Sequence, residues 1–414
     1  MKIVHLNYFD INGGAARAVY RINNSLLKKG INSRMWVNKA TSGNWSVEEP
    51  TSKIDKILNE IRPRLINYSL VKMLKTENKI IHSPSVLSSR WVKHVNNSDA
   101  DIVHLHWIQN EMLSIKDIPR IKKPIVWTLH DMWAFCGAEH YTSDNRWRDG
   151  YYSTNRPKYE SGFDLNHWSW QRKKKYWTNP IQIVTPSKWL SNCVNESKLM
   201  HNWPVSVVPN PIDINRWRPL DKKTARDQLN LSNETSLIVF GAIRGAKDPR
   251  KGYDLLLEAL KNLKADRKVK KIELIVFGQC KPQTQPELGF PIHFMGHLHD
   301  DISLQVLYSA SDVMVIPSRQ DNLPNTALEA QACDTPVVSF NIGGFADIIE
   351  HQKTGYLAKP FDTKDLAKGI SWTLDNFKSQ RYKNYIHKQA VLKFNEKKIA
   401  EQYINIYKRL LKQI

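Results

Sequence analysis

Three stretches in the second half of the chain have residue types and spacing suited to gripping an anion. Gly241-Ala-Ile-Arg244 follows an apolar run, and Arg250-Lys251-Gly252 stands just before an amphipathic one. Arg244 and Lys251 would then flank one loop at the carboxyl end of a strand, where two converging cations suit a diphosphate. The plainer alternative is a pair of surface cations in a basic protein. Asp321-Asn322-Leu323-Pro324-Asn325-Thr326-Ala327-Leu328-Glu329 follows an apolar run ending at Ile316-Pro317-Ser318. Pro324 keeps helix out of the first part, and Thr326 to Cys333 reads as helix. Asp321 is therefore a loop carboxylate and Glu329 a helical one. Both suit sugar hydroxyls, because a carboxylate accepts two hydrogen bonds at once. Glu329 is also explained as an acid placed early in a helix for its dipole.

The first half offers two more candidates. Gly13-Gly14 lies between a strand pattern and a helix pattern. Glycines there let a phosphate approach the backbone at a helix start, although the pair is also a tight turn and lacks the full dinucleotide fingerprint. His130-Asp131 ends the strand pattern at Thr128-Leu129, which places a histidine to touch substrate or to serve as a hydrogen-bonded structural group. His104 and His106 share one face of a strand, but no third metal ligand is near in sequence. Asp99-Ala-Asp101 has a metal-binding form but precedes its strand. No metal site is expected.

These residues need strands and helices to aim them. In the first half, strands are expected at Lys2 to Phe9, Ser33–Val37, Ile102–Trp107, Ile125–Leu129, Ile181–Thr185 and Val205–Val208. Ala15, Val19, Ile22 and Leu26 make one apolar helix face that stops at Gly30. Gly137 to Tyr176 is polar, aromatic and without a period, so it reads as a long irregular insertion. Thr41 to Ser98 reads as helix with loops. Pro209-Asn210-Pro211 suits a hinge. The pattern restarts with strands at Leu237–Ile243, Glu273–Phe277, His293–Met295, Val313–Ile316 and Val337–Phe340, a helix at Tyr253–Leu263, and helix from about Tyr385. Strands alternating with helices imply α/β architecture with parallel sheets, which bind ligands at their carboxyl ends.

Size and composition agree. A chain of 414 residues with 41% hydrophobic residues has room for two cores. No apolar run approaches the ~20 residues of a spanning helix. The first residues read as a strand rather than a signal peptide, so a cytoplasmic location is expected. Four separated cysteines fit ordinary reduced thiols. The net charge of +21 implies an anionic partner. Arg172-Lys-Lys-Lys175 beside Trp168, Trp170 and Trp177 points to an anionic membrane face, against the alternative of a solvated surface. No nucleic-acid-binding motif is present.

Taken in order, Gly13-Gly14, His130-Asp131, Asn210-Pro-Ile-Asp213, Arg244 with Lys251, Asp321 to Glu329, and Ala332-Cys-Asp-Thr-Pro-Val-Val338 resemble glycosyltransferase family 4, a group with the GT-B fold. The segment His130-Asp-Met-Trp133 resembles its bacterial surface-polysaccharide branch, of colanic acid or O-antigen type. The resemblance implies two Rossmann-like domains facing across a cleft: residues 1–208 for the acceptor, 209–385 for the nucleotide sugar, and 386–414 as a helical segment returning to the first. It implies that Arg244 and Lys251 hold the donor diphosphate, Glu329 the ribose, and Asp321 with Asn322, Leu323, Pro324, Asn325 and Thr326 the sugar and phosphates. Gly13 and Gly14 would offer amides, Asn210 would lie near the donor, and His130 would meet the sugar.

The implied activity is a retaining, metal-independent transfer without a cofactor, from a nucleotide sugar to a glycan acceptor that is lipid-linked, by an enzyme peripheral to the inner face of the cytoplasmic membrane. Asp321 departs from the family's usual glutamate, and Asn-Leu-Pro-Asn from its usual loop. A GT-B nucleotide-sugar epimerase and a basic non-catalytic binding module are the alternatives. Donor, base, acceptor, linkage and oligomeric state stay open.

Overall fold

The computed structural model describes every residue except 242–247, 266–270, 284–286, 299, 378–383 and 413–414. Arg244 therefore lies outside the described residues. The chain divides into two compact units: residues 1–211 with 397–414, and residues 212–396.

The strands of the first unit are β1 (Lys2–Phe9), β2 (Asn32–Lys39), β3 (Val47–Glu48), β4 (Leu74–Thr76), β5 (Ile102–Leu105), β6 (Ile125–Thr128), β7 (Glu160–Gly162), β8 (Gln182–Thr185) and β9 (Val205–Val207). Seven of them form one sheet in the order β3-β2-β1-β5-β6-β8-β9, and every pair is parallel. A parallel sheet is covered on both faces, which is why β5, β6 and β8 are buried along almost their whole length. Successive residues serve opposite faces. Val103, Trp127 and Ile183 pack with Trp133, Trp170 and Trp177 on one side. Ile102, Val126 and Val184 pack with Ile22, Leu26, Tyr403 and Tyr407 on the other.

The second unit repeats this plan with β10 (Ser236–Gly241), β11 (Ile272–Phe277), β12 (Ile292–Phe294), β13 (Val313–Ile316), β14 (Val337–Phe340) and β15 (Gly355–Ala358). Their order, β12-β11-β10-β13-β14-β15, is again parallel throughout. In both sheets the first strand has neighbours reached by crossovers in opposite directions. That switch point opens a crevice at the carboxyl ends of β1 and β5, and of β10 and β13.

Three expectations are corrected. The stretch 137–176 is ordered rather than irregular: it carries the helix Leu165–Tyr176, and its β7 pairs antiparallel with β4. Its core mixes buried aromatics such as Tyr151 and Trp170 with buried charged groups, which hides it from an apolar-period search. Arg146 bridges Glu160 at 2.8 Å, and the Lys173 ammonium donates to the carbonyls of Trp133, Cys136 and Gly137. Second, Trp170, Trp177 and Lys173 are buried, so those side chains are withdrawn from the membrane face expected there, and Lys174 and Lys175 are the exposed cations of the cluster. Third, the C-terminal segment does not act as one piece. Ala390 and Phe394 of the helix Tyr385–Phe394 join the second unit's core, whereas Tyr403 and Tyr407 of Glu396–Leu411 join the first.

Candidate functional site

In the second unit the loops after β10 and β13 flank the switch point. The first ends in a turn, Pro249–Lys251, closed by Gly252 at φ 66°. A side chain there would put its Cβ 2.0 Å from the Pro317 carbonyl oxygen, so only glycine fits. The two loops are stitched together. The Arg319 amide donates to the Arg250 carbonyl at 2.7 Å, and Arg250 Nη1 donates to the Gln320 carbonyl at 3.1 Å. This places Lys251 Nζ 2.7 Å from Asp321 Oδ2, with Arg250 Nη1 at 3.8 Å from the same oxygen. Asp321 Oδ1 accepts its neighbour's amide, from Asn322, at 3.1 Å. Burial opposes the charge on Asp321, but Lys251 and Arg250 hold its carboxyl below the usual carboxylate range. Asp321 is thus the partner of Lys251.

A third loop, after β14, closes on the same carboxylate residue. Gly343 has φ 53°, its Cβ would lie 2.0 Å from the Asp321 carbonyl oxygen, and the Gly344 amide donates to that oxygen at 3.2 Å. Leu323 and Asn322 are buried, and Pro324 caps the helix Asn325–Ala332, one residue earlier than the sequence pattern suggests. The first turn of that helix, Asn325 and Thr326, therefore faces the loop with its amide end. Glu329 is buried one turn further, where Tyr308 Oη donates to its Oε2 at 3.2 Å.

In the first unit the loop after β1 is fixed by Asp10, which accepts amides from Ile11, Thr41 and Ser42 at 2.9, 2.8 and 2.6 Å. Gly13 follows at φ 98°, and the helix Gly14–Lys28 begins with no acidic side chain in its first turn. A Cβ on Gly13 or Gly14 would meet nothing within 4 Å. Such a start favours an anion. Asn210 is buried at the end of the unit.

His130-Asp131 follows β6, and the two side chains part. Asp131 is buried; it accepts from Trp107 Nε1 at 3.1 Å, His140 Nδ1 at 2.6 Å and the Trp133 amide at 3.0 Å. It shapes the loop. His130 is partly exposed and heads a chain of buried rings. Its Nε2 lies 3.2 Å from His106 Nδ1, His106 Nε2 lies 2.9 Å from His5 Nδ1, and His5 Nε2 lies 3.1 Å from Ser33 Oγ. Ser33 gives its own proton to Asn23 Oδ1 at 2.7 Å. Ser33 must therefore accept from His5 Nε2–H, which makes His5 Nδ1 an acceptor for His106 Nε2–H. His106 Nδ1 then accepts from His130 Nε2–H, which leaves Nδ1 as the accepting nitrogen of His130. Desolvation keeps the rings neutral, lowering His5 to about 3 and His130 to about 4.

His104 and His106 do have a third histidine beside them, His5 from the neighbouring strand, contrary to the expectation from local sequence. The ring nitrogens of His104 bond Tyr407 Oη and Thr128 Oγ1, both at 2.7 Å, so hydrogen bonds account for the cluster. Asp99 pairs with Lys2 at the other end of the sheet. A groove of about 560 Å³ along the edge strand β9, lined by Val207, Lys408, Arg409 and Lys412 among others, holds none of these site residues.

Sequence reasoning missed His5, Tyr308 and the Gly343-Gly344 collar, and it gave Arg250 and His106 no part in the site. The glycine pair had a readable signal, since it follows a strand's carboxyl end. His104 and His106 were legible on one strand face, but His5 was not, because a register between β1 and β5 brings it beside them.

Comparison with known proteins agrees with this geometry. Residues 12–216 match the family model described as Glycosyltransferase Family 4, and residues 234–376 that described as Glycosyl transferases group 1. A D-inositol 3-phosphate glycosyltransferase 2 of Catenulispora acidiphila is 31% identical over 185 residues, 41% of this chain and 42% of that protein. The chain thus spans less than half of that relative's length. Sucrose-phosphate synthase from Thermosynechococcus elongatus shares the fold over 100% of both chains, with a TM-score of 0.69 at 17% identity. Anabaena Alr3699/HepE, solved in complex with UDP-glucose, does so over 100% of both chains with a TM-score of 0.64 at 16% identity.

Proposed function

Since the chain belongs to the family 4 glycosyltransferases, which carry the GT-B fold of two Rossmann-like domains, we propose that it transfers a sugar from a nucleoside-diphosphate donor to a glycan acceptor carried on a lipid. The observation that carries this reading is Lys251, held by Asp321 at the switch point of the second sheet and collared by Gly252 and Gly343. Departure of a nucleoside diphosphate leaves negative charge that fixed cations and amides must meet. Lys251 supplies a cation, and the family resemblance assigns Arg244 as the second and the helix start at Gly13-Gly14 as the source of amides. Glu329, oriented by Tyr308, takes the ribose. His130 meets the donor sugar.

Among the described residues of this set we see no dedicated nucleophile, and we propose attack on the face from which the diphosphate leaves. The anomeric configuration is retained, and the departing phosphate oxygen takes the acceptor's proton. The cations stand in for a metal. Turnover should therefore survive EDTA. The Met132-Trp133 continuation of His130-Asp131 supports a surface-polysaccharide acceptor at the cytoplasmic membrane face. The inositol phosphate glycosyltransferase relative supports a smaller phosphorylated acceptor as the second reading.

A thermal-shift screen across nucleoside diphosphates and their sugars tests the donor assignment, because a ligand bound only to the native state raises Tm. Lys251→Ala should abolish the shift and lower turnover about 10²–10³-fold. A full shift with the purified variant refutes the assignment. Conversion of the donor without any acceptor would identify an epimerase instead.

A further inference from the structure

The helix Lys53–Ser69 turns the wrong side outward for a water-soluble surface. Ile54, Ile57, Ile61, Leu65 and Tyr68 are 60, 57, 49, 54 and 73% exposed, and Leu58 is 38% exposed. At 100° per residue these six fall within an arc of about 100°, one continuous apolar stripe. The opposite face is anchored. Pro63 and Ile66 are buried, Arg62 donates to the Leu87 carbonyl, and Tyr8 Oη donates to the Asn59 carbonyl at 3.3 Å. Met73, which follows the helix, adds a further apolar side chain at 52% exposure. Scattered apolar residues are ordinary on a surface, but a contiguous stripe marks an interaction site.

The charge around the stripe selects the partner. Between Lys53 and Lys79 the chain carries seven Lys and Arg against three carboxylates; of the seven, Arg62 lies on the anchored face and Lys56 pairs with Glu49. Lys53 and Arg64 border the stripe, and Lys72 Nζ lies 4.3 Å over the Tyr68 ring. An apolar face rimmed by cations, on a helix about 25 Å long, is built to lie in the headgroup region of an anionic bilayer. We infer that this helix, rather than the Arg172–Lys175 cluster, docks the protein on an anionic membrane surface. The Tyr8 contact sets the helix beside the carboxyl end of β1, the end that carries Gly13. A docked helix would thus bring the lipid surface to the rim of the first unit's site. The inference rests on the lipid-linked acceptor reading only for its biological purpose; the surface itself stands on exposure and charge.

Sedimentation of the full chain with vesicles tests it, using phosphatidylcholine with and without phosphatidylglycerol. Wild type should bind the anionic vesicles and leave the neutral ones largely in solution. The triple variant Ile57→Ser, Ile61→Ser, Leu65→Ser alters only exposed side chains, and its affinity should fall roughly a hundredfold. Lys53→Glu with Arg64→Glu should remove the preference for anionic lipid. Nucleoside-diphosphate thermal shift is read on every variant and should not change. Unaltered vesicle binding by the triple variant overturns the inference, and so does a wild type that ignores both vesicle types. A concentration-dependent dimer by light scattering, lost in the triple variant and without vesicle binding, would assign the stripe to a second copy and overturn it too. Vesicle binding without any nucleotide shift would sink the glycosyltransferase reading and leave the docking surface standing.

Discussion

Replacing Asp321 by asparagine separates two roles that a carboxylate in this place can have. If it grips a sugar hydroxyl, its loss weakens the nucleotide sugar and spares the bare nucleotide. If it parks Lys251, its charge opposes the incoming phosphate. Lys251 Nζ stands 2.7 Å from Asp321 Oδ2. A phosphate oxygen taking the same ammonium at about 2.8 Å would lie roughly 5 Å from that carboxylate oxygen. Two unit charges at that distance repel by about 3 kcal/mol at an effective dielectric constant of 20. Salt and the facing Arg250 cut this to about half, which corresponds to about tenfold in Kd.

Asp321→Asn should therefore bind a bare nucleoside diphosphate about tenfold more tightly by calorimetry. Turnover should fall, because nothing aims Lys251 any longer. The carboxyl of Asp321 is held below the usual range, so lowering the pH from 7 to 5 should not reproduce this gain in the wild type. A tenfold weakening of bare nucleotide binding in Asp321→Asn would refute the reasoning, since positioning would then outweigh charge.

Three further outcomes are expected. In His106→Phe the ring stack is kept but the proton chain is cut, so nitrogen NMR should show His130 change from a single Nε2–H tautomer to a mixture; an unchanged spectrum would dismiss the chain as decorative. Gly343→Ala forces a side chain into φ 53° and against the Asp321 carbonyl, and urea melts should show a loss of about 2–4 kcal/mol; a loss below about 1 kcal/mol would mean the collar yields. Burial lowers Lys173 to about 7, so between there and its ordinary value of 10.5 the unfolded chain binds more protons than the folded one. Stability should then rise with pH across that window, and Lys173→Met should flatten the rise in urea midpoints.

Most of the fold was legible because parallel strands buried on both faces are written as apolar runs, and β1, β6, β13 and β14 were found within a residue or two. The Lys251 loop was legible for a related reason: a cation in the connection from a strand to the helix that follows stands at the strand's carboxyl end. The Lys251–Asp321 ion pair was not, since 70 positions separate its partners and the stitching runs through backbone amides of no particular residue type. The order of 137–176 was hidden by its chemistry. Lys173 looks like one more lysine in a basic run until three carbonyls are seen to surround it. Arg244 was singled out by sequence and lies outside the described residues.

The two tyrosines of the last helix bear on how the protein is made. Tyr407 Oη bonds His104, and Tyr403 Oη lies 3.3 Å from Thr128 Oγ1, beneath strands built from the first third of the chain. The first sheet is complete by residue 211, yet one of its faces lacks this cover until the helix Glu396–Leu411 has been synthesised. At about 5–20 residues per second, that delay is roughly 10–40 s. The second unit is whole before the first is sealed. A nascent chain in that interval offers chaperones a sheet face only part-covered by the helix Gly14–Lys28, and a ribosome that stalls late leaves a chain with a finished second unit and an open first.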